Sequence, residues 1–426
     1  MYASEIKKQI LSGALDNTFS ELYSEGKIIC ARERYARAID EFIKLYGECE
    51  ASVFSVSGRS ELSGNHTDHN RGKVIAASID LDIIAVASPT DDGVVQLKSE
   101  GFSLCRVDLN EFTSPLNECF GSSGALIAGM AAFFKEEGFK VGGFNAYTTS
   151  SVLKGSGLSS SAAFEDMVGT IFSHLYNGGI VDNVLIAKLA QKSENVFFGK
   201  PCGLMDQVAC AAGGIVAIDF KDPASPVIEK LDVDMTAEGY NLCIVNTGGN
   251  HADLTDDYAA VPFEMKSVAA LFGKEVLRDV SREELISAIP VLREKVGDRA
   301  ILRALHFLGE NERVESQVAS LKKRDILSFL SVVLESGRSS FCYLQNVYTN
   351  KNVSEQGLSL ALCLADGYLS GKNAAHRVHG GGFAGTIQAF MPSNEAEGFR
   401  ALMDSVFGDG ACIVLRIRQN GAMKLI

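Results

Sequence analysis

From Gly58 to Gly72 the chain reads G-R-S-E-L-S-G-N-H-T-D-H-N-R-G. Arg59, Glu61, Asn65, His66, Asp68 and His69 are packed between two glycines. They follow Ser52-Val53-Phe54-Ser55-Val56, whose alternation predicts a strand. So many donors and acceptors in one short segment suit a pocket for a polar ligand, because Asp and Asn each engage several hydroxyls at once. The segment also reads as an ordinary solvated loop. A third reading is zinc, with His66 and His69 spaced H-x-x-H and Asp68 between them. That spacing is loose, and the other such pair, His376 and His379, reads as loop histidines.

Outward from this block, residues 74–79 and 83–87 are apolar runs that read as two strands. A turn at Asp91-Asp92-Gly93 leads to a strand at 94–97. Residues 1–50, 122–138, 162–176 and 182–197 carry apolar positions at helical spacing. Residues 142–149 look extended, 215–218 and 242–245 read as strands, and 260–345 are mostly helical. Strands dominate the early half and helices the later half, which predicts an α+β protein. No linker or repeat marks a boundary, and the division is placed near 225, giving domains of 1–225 and 226–426.

Leu153 to Glu165 reads L-K-G-S-G-L-S-S-S-A-A-F-E. Glycines let a backbone approach a ligand, and the serines open a helix whose free N–H groups and partial positive charge attract phosphate. The block lacks the G-K-[ST] of a Walker loop, and its serines equally suit an ordinary helix cap. Gly380 to Gly385, G-G-G-F-A-G, has the spacing G-x-G-x-x-G, but a strand-like stretch at 386–390 follows where a dinucleotide fold needs a helix. It reads as close backbone packing beside a strand. Glu194 lies on a predicted helix, and Asp206 follows in the apolar run C-G-L-M-D-Q-V from Cys202. An Asp desolvated there and facing Arg59 would stay ionised and could deprotonate a hydroxyl.

The 426 residues carry 40 basic and 53 acidic side chains, a net charge of −13. That balance argues against a dedicated binder of nucleic acid or anionic membrane. No stretch is long and apolar enough to span a bilayer, and the first residues lack the pattern of a signal peptide. The ten cysteines contain no C-x-x-C pair and read as buried hydrophobes of a reducing compartment, so a cytoplasmic location is expected.

Four segments, in order along residues 30–395, resemble the GHMP small-molecule kinases and, within them, the galactokinase group. Gly58–Asn70 resembles the signature G-R-V-N-L-I-G-E-H-T-D-Y-N. Lys154–Ala163 resembles the phosphate loop, Cys202–Gln207 the stretch with the catalytic aspartate, and Gly380–Gly385 the third motif. The resemblance implies a two-domain architecture with the active site in the cleft between N- and C-terminal domains. It implies an ATP-dependent sugar 1-kinase acting on galactose, with Mg²⁺ as cofactor. Asp206 would activate the anomeric hydroxyl, and Arg59 would hold Asp206 ionised and steady the moving phosphoryl. Gly155, Ser156, Gly157, Leu158, Ser159, Ser160 and Ser161 would wrap the ATP phosphates, with Ser161 and Glu194 on the metal. Asn65, His66, Asp68, Gly203 and Tyr258 match positions that hold the sugar.

Three departures from the pattern matter: Asn65 stands for Glu, His69 for Tyr and Leu153 for Pro. Asn65 removes a negative charge at the sugar's distal end, which predicts a substrate range different from plain galactose. Galacturonate, L-arabinose and amino sugars are the alternatives. A silent galactose- and ATP-binding regulator is another, disfavoured by the presence of Arg59, Glu194, Asp206 and the three serines.

Overall fold

Ser52–Ser63 (β1) and Lys73–Pro89 (β2), rich in Val, Ile, Ala and Ser, pair antiparallel, and β1 is buried along its whole length. The structure, a computed structural model, describes residues 1–111, 121–152, 157–200, 202–249 and 254–426. The runs at 74–79 and 83–87 are thus one strand, not two. The apparent break contains Asp80 and Asp82, both buried and both partnered from far away. Asp80 accepts from Lys27 Nζ at 2.7 Å and the Arg416 amide at 3.0 Å, and Asp82 from Arg34 at 2.5 Å and Ser55 at 2.6 Å. Buried carboxylates are tolerated only when so paired.

Val94–Ser99 (β3), Leu104–Asp108 (β4), Phe144–Ser150 (β5), Ile215–Asp219 (β6) and Val227–Leu231 (β7) extend this sheet. The long β2 supports two branches: residues 83–89 pair with β5 and residues 73–77 with β6. Among the described pairs only β3–β5 is parallel. Three helices, Ala3–Leu11 (α1), Asp16–Leu22 (α2) and Ile28–Tyr46 (α3), cover one face. The other carries Ser123–Glu136 (α4), Ser160–Tyr176 (α5), Asn183–Ser193 (α6) and Met205–Ala212 (α7). Strand alternation divides the core: Val53, Ile84 and Val86 pack with Tyr35 and Phe42, while Phe54, Ala85 and Ala87 pack with Phe134 and Phe172.

The change of sheet falls after β7. Tyr240–Asn246 (β8) joins Ala375–Val378 (β9), Thr386–Pro392 (β10) and Cys412–Leu415 (β11) in an antiparallel sheet of order β11-β8-β10-β9. The helices Thr255–Ala270 (α8), Arg282–Lys295 (α9), Gly297–Lys322 (α10) and Ile326–Ser339 (α11) fill the segment between β8 and β9. Gly357–Leu369 (α12) and Ala396–Phe407 (α13) pack on one face of the sheet. Leu242, Ile244 and Phe390 on its other face join the core of the first sheet. Finally Met423–Lys424 (β12) returns to pair with β1. The protein is a mixed α+β chain, and no described helix is long and apolar enough to cross a membrane.

Candidate active site

Gly58 sits at a register shift between β1 and β2. A Cβ there would lie 2.9 Å from the Leu158 carbonyl oxygen, to which the Arg59 amide donates at 3.1 Å. The missing side chain therefore lets the glycine–serine loop lie directly on the strand. Arg59, only 8% exposed, points its Nε and Nη2 at Asp206 Oδ1, each at 2.8 Å, and its Nη1 at the Gly157 carbonyl. Burial works against the guanidinium charge, but Asp206, Cys210 and Glu61 together outweigh it and the pKa is raised. Asp206 stands in the first turn of α7. That helix is tied to the sheet by Ser57 Oγ donating to the Cys210 carbonyl at 2.9 Å and Ser78 Oγ to the Ala209 carbonyl at 2.6 Å. The Asp206 side chain is 34% exposed, less desolvated than its apolar sequence context suggested.

Ser159 occupies the N-cap position of α5 but does not cap it. Its hydroxyl donates to Asp206 Oδ2 at 2.5 Å. The first N–H groups of α5 so receive no bond from the cap side chain, the arrangement that suits phosphate. Ser159 has φ +59°, and His66 and Phe383 in the first and third motifs are also left-handed. Non-glycine residues rarely accept that conformation, and such strain gathers at functional sites. Leu158 is buried in the core, whereas Ser160 and Ser161 line a cavity of about 690 Å³ with Leu97, Thr148, Phe164 and Phe198. Gly155 and Ser156 lie outside the described residues.

Glu194 is 3% exposed and opens a π-helical turn, Glu194–Phe198, at the end of α6. Such turns recur at functional sites. Lys200 Nζ contacts its Oε1 at 3.0 Å, and Gln207 Nε2 donates to its Oε2 at 3.0 Å and to Glu165 Oε2 at 3.3 Å. Burial and then the Glu194 charge push the Glu165 carboxyl up to about 9. Asp166 is raised well above the carboxylate range by burial and by Glu165 and Asp206, and neither of its oxygens has a hydrogen-bond partner among the described residues. Sequence reasoning missed Glu165 and Gln207, although Gln207 directly follows Asp206. The hydroxyl of Ser161 and the carboxylate of Glu194 are hard oxygen donors of the kind magnesium prefers, and Glu165 Oε1 and Gln207 Oε1 are buried beside Glu194 without partners.

The second pocket is smaller, about 160 Å³, and is lined by Arg59, Glu61, Asn65, His66, Asp68 and Met205 with Gly380 and Gly381. Pockets for drug-sized ligands run to roughly 300–1,000 Å³, so this one suits a single small polar molecule. Gly380 and Gly381 of the third motif roof it, and three successive carbonyls there are held by side chains. Gly380 accepts from Asn65 Nδ2 at 2.6 Å, Gly381 from His66 Nε2 at 2.8 Å and Gly382 from the Tyr258 hydroxyl at 2.8 Å. Burial holds the His66 pKa down at about 4, so the ring is neutral. A carbonyl only accepts, so Nε2 carries the proton and Nδ1 is left as an acceptor. A Cβ on Gly203 would lie 3.2 Å from Asp68 Oδ2, so glycine there keeps that oxygen clear.

Several expectations are corrected here. The block from Gly58 to Ser63 is strand, not loop. The described residues hold no cluster of three metal-binding His, Cys, Asp or Glu side chains, and His66 is committed to Gly381, which removes the zinc reading. His376 lies in β9 opposite Ala389 and is not a loop residue, whereas His379 does follow the strand in a loop, buried against Ser60 Oγ at 3.1 Å and Thr386 Oγ1 at 2.9 Å. The Asn65 exchange does not remove the carboxylate from the pocket. Compared with the signature quoted above, position 61 departs too: Glu replaces Asn there, and Asn65 Nδ2 contacts Glu61 Oε1 at 3.2 Å. That further departure is visible in the sequence.

Known proteins bear on this geometry. Residues 125–214 match the GHMP kinases N terminal domain, and residues 40–89 match the galactokinase galactose-binding signature. The chain is 32% identical over 373 residues to a galactokinase of Streptomyces coelicolor, covering 86% of this chain and 90% of that one. It is 28% identical over 404 residues to human galactokinase, covering 92% and 97%. Among solved structures it is similar to Lactococcus lactis galactokinase complexed with galactose, with a TM-score of 0.74, 24% identity and coverage of 91% and 98%. The fold extends to Methanococcus jannaschii mevalonate kinase, at a TM-score of 0.61 and 14% identity over 86% and 98% of the two chains.

Proposed function

The chain belongs to the galactokinases of the GHMP kinase family, a group of sugar phosphotransferases, and on that premise we propose that it transfers the γ-phosphoryl of ATP to the anomeric hydroxyl of galactose. The observation that carries this reading is the Arg59–Asp206–Ser159 constellation, set between a 160 Å³ polar pocket and the open N-terminus of α5. Asp206 accepts the proton of the anomeric hydroxyl through Oδ2, where the Ser159 hydroxyl now sits. Arg59 pairs with the carboxylate through two nitrogens and fixes its orientation. The serine loop and the first N–H groups of α5 hold the phosphates, and the 690 Å³ cavity beside Ser160 and Ser161 takes the nucleoside.

Phosphoryl transfer asks for positioning and charge stabilisation, which is what these groups supply. Ser161 and Glu194 would hold Mg²⁺, which when bound neutralises charge on the transferring phosphates. His66 and Asp68 engage sugar hydroxyls, Gly203 makes room for Asp68, and Asn65 and Tyr258 hold the roof. A cytoplasmic location fits unpaired cysteines and no membrane-crossing helix among the described residues.

The test is ADP release from ATP and Mg²⁺ over a panel of galactose, talose, galactosamine, galacturonate and L-arabinose, with Asp206→Asn as the blank. Galactose turnover that the variant lowers by about 10²–10⁴-fold is expected, the range for a positioned general base. Turnover of another sugar alone would move the substrate, and binding without turnover would favour the silent regulator.

A further inference from the structure

We propose that Glu61, a strand residue, is the carboxylate that reads the sugar at the end away from the reacting hydroxyl, and that Asn65 and Arg377 hold it there. The proposal rests on the sugar-kinase reading. Arg59 and Glu61 lie two residues apart on β1, in a stretch of regular pairing to β2, so both side chains leave the same face. Their separation along the strand is about 6.6 Å, close to the span of one pyranose ring. With Arg59 at the phosphoryl end, Glu61 stands at the other.

Asn65 is not free to do this work. Its Nδ2 donates to Gly380 and Glu61, and its Oδ1 accepts from Asn346 at 2.8 Å and Ser340 at 3.3 Å. An amide has two donors and two acceptor lone pairs, so all four are spent inside the protein. Glu61 is different. Oε1 is fixed by Arg377 at 2.9 Å and by Asn65, whereas Oε2 has no hydrogen-bond partner among the described residues and Glu61 lines the pocket. Burial raises the Glu61 pKa, and Arg377 and Arg59 pull it back. A fixed carboxylate with one open oxygen accepts from a hydroxyl and repels a second carboxylate. The site so selects a neutral sugar and rejects a uronic acid, contrary to what Asn65 alone suggests.

The experiment compares wild type with Glu61→Gln and the reciprocal pair Glu61→Asn/Asn65→Glu. Substrates are galactose, its 3-, 4- and 6-deoxy analogues, and galacturonate; KM, kcat and thermal melting are read. For galactose, Glu61→Gln is expected to raise the sugar KM about ten-fold or more, the loss of one charged hydrogen bond, with KM for ATP little changed. One deoxy analogue is expected to be poor for wild type and no poorer for the variant, because the hydroxyl and the carboxylate are partners. Galacturonate turnover should rise in Glu61→Gln and stay low in the reciprocal pair. An equal loss over galactose and every analogue would mark Glu61 as merely structural and overturn the proposal, as would no change. Should Glu61→Gln fail to fold, the reciprocal pair decides: galacturonate turnover in it refutes the proposal. Wild type inactive on every sugar would instead sink the kinase reading.

Discussion

Replacing Arg59 by Lys keeps the charge and removes the fork. Arg59 makes three contacts, two to Asp206 Oδ1 at 2.8 Å and one to the Gly157 carbonyl, from a side chain 8% exposed. An ammonium is a single point charge and keeps one of these at best. Bonds to charged groups are worth roughly 1.5–3 kcal/mol each, and the partly exposed Asp206 calls for the lower end, so two lost contacts amount to about 2–4 kcal/mol. If that loss falls on the reacting geometry, at 1.36 kcal/mol per decade kcat drops by roughly 30- to 1,000-fold. ADP release at saturating galactose and ATP measures this, with a melting curve to confirm folding. A folded Arg59→Lys enzyme with kcat within about three-fold of wild type would refute the reasoning that the fork, rather than charge alone, sets Asp206.

Gly58→Ala would push a Cβ against the Leu158 carbonyl and Val152, so KM for ATP should rise and the melting point fall; an unchanged KM would mean the loop does not depend on that approach. Asp166→Asn tests a buried acid. The Asp166 pKa is raised in the fold, so the unfolded chain loses its proton first as pH rises through the ordinary carboxylate range, and stability falls. Urea denaturation should therefore show the Asn variant gaining on wild type from pH 4 to pH 7, by up to about 1.4 kcal/mol per unit, whereas a constant difference would contradict the buried protonated acid. Glu194→Gln should raise the Mg²⁺ concentration needed for half-maximal turnover at least ten-fold; an unchanged requirement would remove Glu194 from the metal.

The strand at 52–56, the serine-opened helix and Asp206 were legible because each has a local signature: alternation, a glycine run, an acid in an apolar stretch; the pairing of Arg59 with Asp206 came from the family resemblance. What local pattern could not convey is partnership across the chain. Asp80 and Asp82 looked like a strand break because their cations, Lys27, Arg34 and Arg418, come from the two ends of the sequence. His379 does sit in a loop, and its burial depends on Ser60, more than three hundred positions away. Asn65 looked like a lost charge, and only folding reveals that its amide is consumed by Gly380, Glu61, Asn346 and Ser340. A one-position comparison with the family signature leaves out Glu61, which lines the same pocket and contacts Asn65.

Incubating the purified chain with galactose, ATP and Mg²⁺ and identifying the product by phosphorus and proton nuclear magnetic resonance is the decisive measurement. The account predicts galactose 1-phosphate and ADP in equal amounts, and neither with Asp206→Asn. Phosphate on any other hydroxyl, or product formed unchanged by the Asp206→Asn chain, would contradict it.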